Sequence, residues 1–163
     1  MGQKPQIINP PNRLKSKVAT GGPGAVDAAR LKRAEAVIEK MTSDYLDWVE
    51  HDLSSLEANV AGLKPGAPDA QQRVDDIYRT AHDIKGQGGS FGYDLMTEIG
   101  ALMCRFIEHL DTPTVEDVEL MDLCVKSMRA VITGRLSGDG GQGGRMVLKG
   151  LSRVAEKVQA EPR

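Results

Sequence analysis

Aromatic residues are scarce in this chain, at 4% of its 163 residues. A core with so few rings must be built from Leu, Val, Ile, Met and Ala, which suits helices better than sheets. Cysteine is nearly absent too. Cys104 and Cys124 are too few for a disulfide framework, and each lies inside an apolar helical pattern. Both are expected to be buried free thiols in a reducing cytoplasm, not nucleophiles. No charge of one sign dominates: the net charge is -2, which lacks the strongly basic face of a general nucleic-acid binder. No apolar run approaches the roughly 20 residues of a membrane span. The N-terminal lysines precede no apolar signal core, which argues against secretion. Alternating strand patterns are missing as well. What these absences leave is a cytoplasmic, all-α chain of one domain plus tails, with neither membrane nor nucleic acid as a partner.

Helical periodicity is what the chain has in abundance. Residues 1–24 are rich in Pro, Gly, Asn and Lys and read as a flexible basic tail. From about 26, Leu31, Ala34, Val37, Ile38, Met41, Tyr45, Trp48, Val49, Leu53, Leu56, Val60 and Leu63 recur at steps of three and four. That pattern is one long helix, or two with a break near Thr42 and Ser43. "GLKPGAPD" (62–69) ends it, and Asp69 is placed to cap the next helix. The second pattern runs through Val74, Ile77, Tyr78, Ala81 and Ile84, and the third through Leu95, Ile99, Leu102, Met103, Phe106, Ile107 and Leu110. In "DTPT" (111–114), Thr112 can cap and Pro113 can open the fourth helix, which carries Val118, Met121, Cys124, Val125, Met128, Val131 and Ile132. Residues 135–144 read as a Gly-rich loop, and Val147, Leu151, Val154 and Val158 mark a short C-terminal helix over 145–160. Core packing accounts for Met41, Met103, Met121 and Met128. The expected architecture is an antiparallel up-and-down four-helix bundle over 25–134, with an N-terminal helical extension and a short C-terminal helix.

One stretch resists a purely structural reading. "AHDIKGQGGSFG" (81–92) puts four glycines at the end of a helix, where each costs about 1 kcal/mol relative to alanine. On a helix, His82, Lys85, Gly86 and Gly89 stand at i, i+3, i+4 and i+7, a stripe beside the buried one. It holds a nucleophilic imidazole, a cation one turn on, and two positions without side chains. Bare backbone beside a histidine admits another molecule to close range. Phosphoryl transfer fits this set, because a neutral imidazole is a competent nucleophile and a nearby lysine stabilises the charge on the moving group.

The same stretch resembles the phospho-acceptor motif of histidine-containing phosphotransfer (HPt) domains: His82, then Lys85-Gly86, small residues at Gly88, Gly89 and Ser90, and a further Gly92. The resemblance extends over about 43–134, where the helical layout also fits an HPt bundle. It implies that His82 accepts phosphate from an aspartate of a response-regulator receiver domain and passes it on. It further implies that Lys85 stabilises the phosphoryl group and that Gly86 and Gly89 admit the receiver. Gln87 replaces the Ser or Ala common in the family and would contact phosphate or partner. Cys104, Arg105 and Glu108 are the positional candidates for contacting the second imidazole nitrogen. No cofactor is expected on this chain, Mg²⁺ belonging to the receiver, and no metal site. The partner classes are receiver domains and a hybrid histidine kinase.

Rival readings lack parts they need. "HDIK" also resembles the phosphorylation box of sensor kinases, but no proline follows it. "DGGQG" (139–143) matches the Asp-x-Gly-x-Gly pattern of their ATP domains by letter only, and no Walker Gly-Lys-Ser/Thr occurs. The chain is therefore expected to be a transfer intermediate without a nucleotide site, not an enzyme. His51 and His109 have no companion at metal-ligand spacing and read as surface residues. The alternative of a different class is a helical adaptor that binds the same partners without carrying phosphate, for which His82 would be dispensable.

Overall fold

The computed structural model describes residues 28–160. The expected basic tail (1–24) lies outside them. Among the described residues there are five α-helices and no strand: α1 (Ala28–Gly62), α2 (Ala70–Gly88), α3 (Asp94–Glu108), α4 (Val115–Thr133) and α5 (Gly141–Ala160). A single 3₁₀ turn, Gly89–Phe91, follows α2. The described residues fall into two units, 28–40 and 41–160. The described part of the first unit is the opening of α1, on which Leu31, Val37 and Ile38 are exposed.

The second unit holds the helical bundle. Its α1 segment has no break at Thr42 and Ser43. It buries Tyr45, Val49, Leu53, Leu56 and Val60, at steps of four and three, which is one stripe of a helix. Consecutive helices from α2 to α5 pack on one another, and α5 also meets α3. Short connections make the neighbours antiparallel. Ile77, Ile84, Met96, Ile99, Met103, Leu120, Met121 and Met128 are at most 2% exposed and form the centre of the core. Each such side chain contributes about 1.5–3 kcal/mol by leaving water. On the outer side, Arg129 of α4 holds α1 by pairing with Glu57 (2.7 Å) and Glu50.

Several local expectations need correction. Leu31, Val37, Ile38, Met41 and Trp48 are more than half exposed rather than core. Their three-and-four spacing is real, but residues 29–41 are exposed on every side of α1, and Trp48 lies off the stripe of Tyr45, Val49 and Leu53. Asp69 occupies the N-cap position of α2 without capping it: at φ -95° and ψ 2° its carboxylate makes no cap bond. It accepts from Arg73 Nε at 2.7 Å instead. The fourth helix is opened by Thr114, not Thr112. Thr114 and the buried Asp117 form a reciprocal capping box, so Pro113 stands before the helix rather than in its first turn.

Nor do residues 135–144 all form a loop, since α5 begins at Gly141. Asp139 starts it by accepting from the Gly141 N–H at 2.8 Å and holding Arg145 at 2.7 Å. A side chain at Gly144 would run into the Asp139 carbonyl. On α5, Leu151 and Ala155 are buried while Val147 and Val154 are exposed. The connector before α5 is stitched to the head of α3: Gly138 N–H donates to the Gly92 carbonyl at 2.6 Å, and Leu95 N–H to the Gly138 carbonyl at 2.9 Å.

Both cysteines are free and buried. Burial pushes the Cys124 thiol up to about 12, against about 8.5 in an unfolded chain. The folded state therefore keeps this proton longer than the unfolded state does. The resulting stability is complete below about pH 8.5 and is lost as the pH rises toward 12. In native protein at pH 8, Cys124 should resist iodoacetamide until denaturant is added. The urea midpoint should fall between pH 8 and 10.5, with a shallower fall in Cys124→Ala. Rapid alkylation of native Cys124 contradicts this.

Candidate functional site

Helix α2 turns Val74, Ile77, Ala81, Ile84 and Gly88 inward. The neighbouring stripe is then set by geometry. His82 is exposed, with 55% of its side chain open to solvent. Lys85 is half-buried, and Gly86 and Gly89 are exposed. Gln87, half-buried, falls off this stripe. A Cβ at Gly86 would meet nothing within 4 Å, so the surface beside the imidazole is bare.

The glycines of this stretch do different jobs. At Gly88, a Cβ would stand 2.9 Å from both Thr97 Oγ1 and the Tyr93 carbonyl oxygen. On the facing helix, a Cβ at Gly100 would stand 3.0 Å from the Ala81 carbonyl and from Lys85 Cβ. These two glycines bring α2 and α3 together. Gly92, at φ 77°, ends the turn in the left-handed conformation that favours glycine. Thr97 fastens the end of α2: its hydroxyl accepts from the Gly89 N–H at 2.9 Å and donates to the Lys85 carbonyl at 3.1 Å. The turn itself is weighted by rings, Tyr45 stacking on Phe91 at 4.5 Å and lying 5.7 Å from Tyr93.

Electrostatically the site has an acidic and a basic side. His82 Nδ1 lies 4.0 Å from Asp83 Oδ1, beyond hydrogen-bond range. Asp52 of α1 belongs to the same side: burial raises its pKa, His51 opposes the rise, and Asp83 adds to it. On the other side Lys85 forms no salt bridge with a described residue. Its stem lies over Gly100 and its charge reaches Cys104, whose thiol is pushed up by burial and only partly lowered by the ammonium.

None of Cys104, Arg105 and Glu108 hydrogen-bonds the imidazole. Cys104 is buried, Arg105 is exposed, and Glu108 accepts from the Tyr78 hydroxyl at 2.8 Å. Tyr78 in turn stacks on His82, ring centroids 6.1 Å apart and planes inclined by 28°. His51 and His109 are exposed and lie apart from this arrangement in sequence. Among the described residues no group of three or more His, Cys, Asp or Glu side chains could hold a metal, and no helix is long and apolar enough to cross a membrane.

A half-exposed histidine, a lysine one turn on that pairs with no described residue, and a bare helix face form a motif with known relatives. The model of the Hpt domain family matches residues 40–132. The chain belongs to the Hpt domain family. It is also 37% identical over 64 residues to the chemotaxis protein CheA of Salmonella typhimurium, an alignment covering 39% of this chain and 9% of that protein. The chain thus contains a histidine-containing phosphotransfer domain of two-component signalling. Within this Hpt domain, Thr97, Gly100 and Tyr78 contact the His82–Gly89 stretch without belonging to its motif. Gly100 and Thr97 sit amid an apolar stripe, where a small and a hydroxyl residue were the only sequence signal of a close helix contact.

The division of labour among the glycines is measurable. Gly86→Ala should raise stability by about 0.5–1 kcal/mol, since the helix gains an alanine in open space. Gly88→Ala should cost about 1–3 kcal/mol by overpacking against Thr97 and Tyr93. Urea denaturation of the two variants checks the contrast, and equal effects contradict it.

Proposed function

We propose that this Hpt domain is a phosphocarrier whose acceptor is His82. The observation that carries the proposal is the conjunction on one face of α2: a half-exposed imidazole, a Lys85 with no ion-pair partner among the described residues, and the open backbone at Gly86. Asp83 beside Nδ1 favours keeping the proton there and disfavours an anionic group at that nitrogen. The Nε2 lone pair is then the nucleophile.

The donor in this reading is an aspartyl phosphate on a receiver domain. Nε2 attacks phosphorus in line, the bond from phosphorus to the aspartate oxygen breaks, and the carboxylate leaves with that electron pair. The reverse step on a second receiver discharges the phosphohistidine. Lys85 stabilises the charge on the moving group, and its half-buried stem keeps the ammonium near the reaction. Gly86 and Gly89 let the receiver approach. Mg²⁺ belongs to the receiver in this scheme, and the carrier supplies a nucleophile, a cation and a docking face. It is a transfer intermediate, working in the cytoplasm with receiver domains and a hybrid histidine kinase as its partner classes.

The test is transfer of label from a phosphorylated receiver domain of the same cell. Wild type should take up an acid-labile, base-stable label, and His82→Gln should fold normally and take up none. Lys85→Ala should slow transfer about tenfold or more while receiver binding stays measurable. A folded wild type that binds receivers without acquiring label contradicts the carrier and leaves the adaptor.

A further inference from the structure

The imidazole of a phosphocarrier has to present one nitrogen to an incoming phosphorus, and a side chain 55% exposed has the freedom to turn away. A hydrogen bond to the second nitrogen would normally limit that freedom. Here His82 makes no hydrogen bond with a described residue, and the Asp83 carboxylate, 4.0 Å away, is itself on the surface. Something else must hold the ring.

Tyr78 is one turn earlier on the same helix, the i, i+4 relation that places two side chains face to face. Its ring lies 6.1 Å from the imidazole with the planes inclined by only 28°. That is within the range in which offset-stacked rings attract. Tyr78 is not itself free to swing. Its hydroxyl donates to Glu108 Oε1 at 2.8 Å, across the seam from α2 to α3. Its ring borders a groove of about 590 Å³, next to Val74, Ile107 and Leu110. The chain of restraint therefore runs from the C-terminal end of α3, through a carboxylate and a phenol, to the imidazole face.

We infer that Tyr78 is a positioning residue for His82, tethered by Glu108, and that this stack replaces a direct hydrogen bond to the imidazole in orienting Nε2 toward the Lys85 side. The inference rests on His82 being the acceptor. It assigns Glu108 a role through Tyr78 rather than on the histidine. The pKa of Tyr78, raised chiefly by its hydrogen bond to Glu108, agrees with a phenol that keeps its proton and its donor role.

The test uses the full chain and two readouts. The first is the rate of His82 labelling by phosphoramidate, a small donor that needs no docking surface. The imidazole nitrogen bonds to phosphorus while the bond from phosphorus to ammonia breaks and ammonia leaves. The second is the NMR signal of the His82 ring protons in unphosphorylated protein, which carry a ring-current shift if Tyr78 stacks on them.

Tyr78→Leu should slow labelling about three- to tenfold and abolish the ring-current shift, with the unfolding midpoint little changed. Tyr78→Phe and Glu108→Ala, which keep the ring but cut the tether, should resemble each other and fall between. Glu108→Gln keeps an acceptor for the phenol and should restore nearly wild-type behaviour. Wild-type labelling together with unaltered His82 shifts in Tyr78→Leu overturns the inference. Equal behaviour of Glu108→Gln and Glu108→Ala removes the tether. Absence of label at His82 in wild type overturns the phosphocarrier reading instead, and the ring-current readout then still decides whether the stack exists.

Discussion

The close approach of α2 to α3 is the constraint on which the site depends. Gly88 and Gly100 remove the two side chains that would keep the helices apart. Thr97 then joins them by accepting from Gly89 and donating to the Lys85 carbonyl. With α2 fixed in this way, its buried stripe has one rotation, so His82, Gly86 and Gly89 face outward and Lys85 stands at the edge of the seam. The placement of these residues is thus a consequence of a packing solution on the same helix. A larger residue at position 88 would strain the seam before it touched His82.

Glycine is costly in a helix, and this domain offsets the cost nearby. Tyr45, Phe91 and Tyr93 are half of the aromatic residues in a chain that has two Phe, three Tyr and one Trp. They gather at the turn that follows α2, with Tyr45 fully buried against Phe91. The connector before α5 adds backbone bonds to Gly92 and Leu95 from the other side. The exposed face at Gly86 is therefore locally weak in helix propensity yet mounted on a firmly held turn. That combination fits a surface that must be approached closely without being reshaped by the approach.

Much of this was legible in the chain. The apolar steps of α2, α3 and α4 predict helices whose cores largely match those observed, because in each of them the buried residues follow the apolar spacing. The His82 stripe is equally legible, since helical spacing alone brings Lys85 and Gly86 beside the imidazole. The long α1 was harder: Met41 and Trp48 follow the same steps as Tyr45 and Val49, and only the bundle decides which set is covered. Caps were misread for a related reason. Asp69 and Thr112 have the right chemistry, but backbone angles and the pull of Arg73 decide the first, and the Thr114–Asp117 box decides the second. Gly88 and Gly86 look alike in sequence and differ only in what lies opposite them. The Tyr78–Glu108 bond joins residues 30 apart in the chain, beyond any local pattern.

The central claim is that the geometry of α2 makes one nitrogen of one histidine the phosphate acceptor. The most direct measurement is a phosphorus-to-nitrogen NMR correlation on the ¹⁵N-labelled, phosphorylated chain. The account predicts a single phosphorus bonded to Nε2 of His82, with Nδ1 still carrying its proton. Phosphorus on Nδ1, on His51 or His109, or on no histidine at all would contradict it.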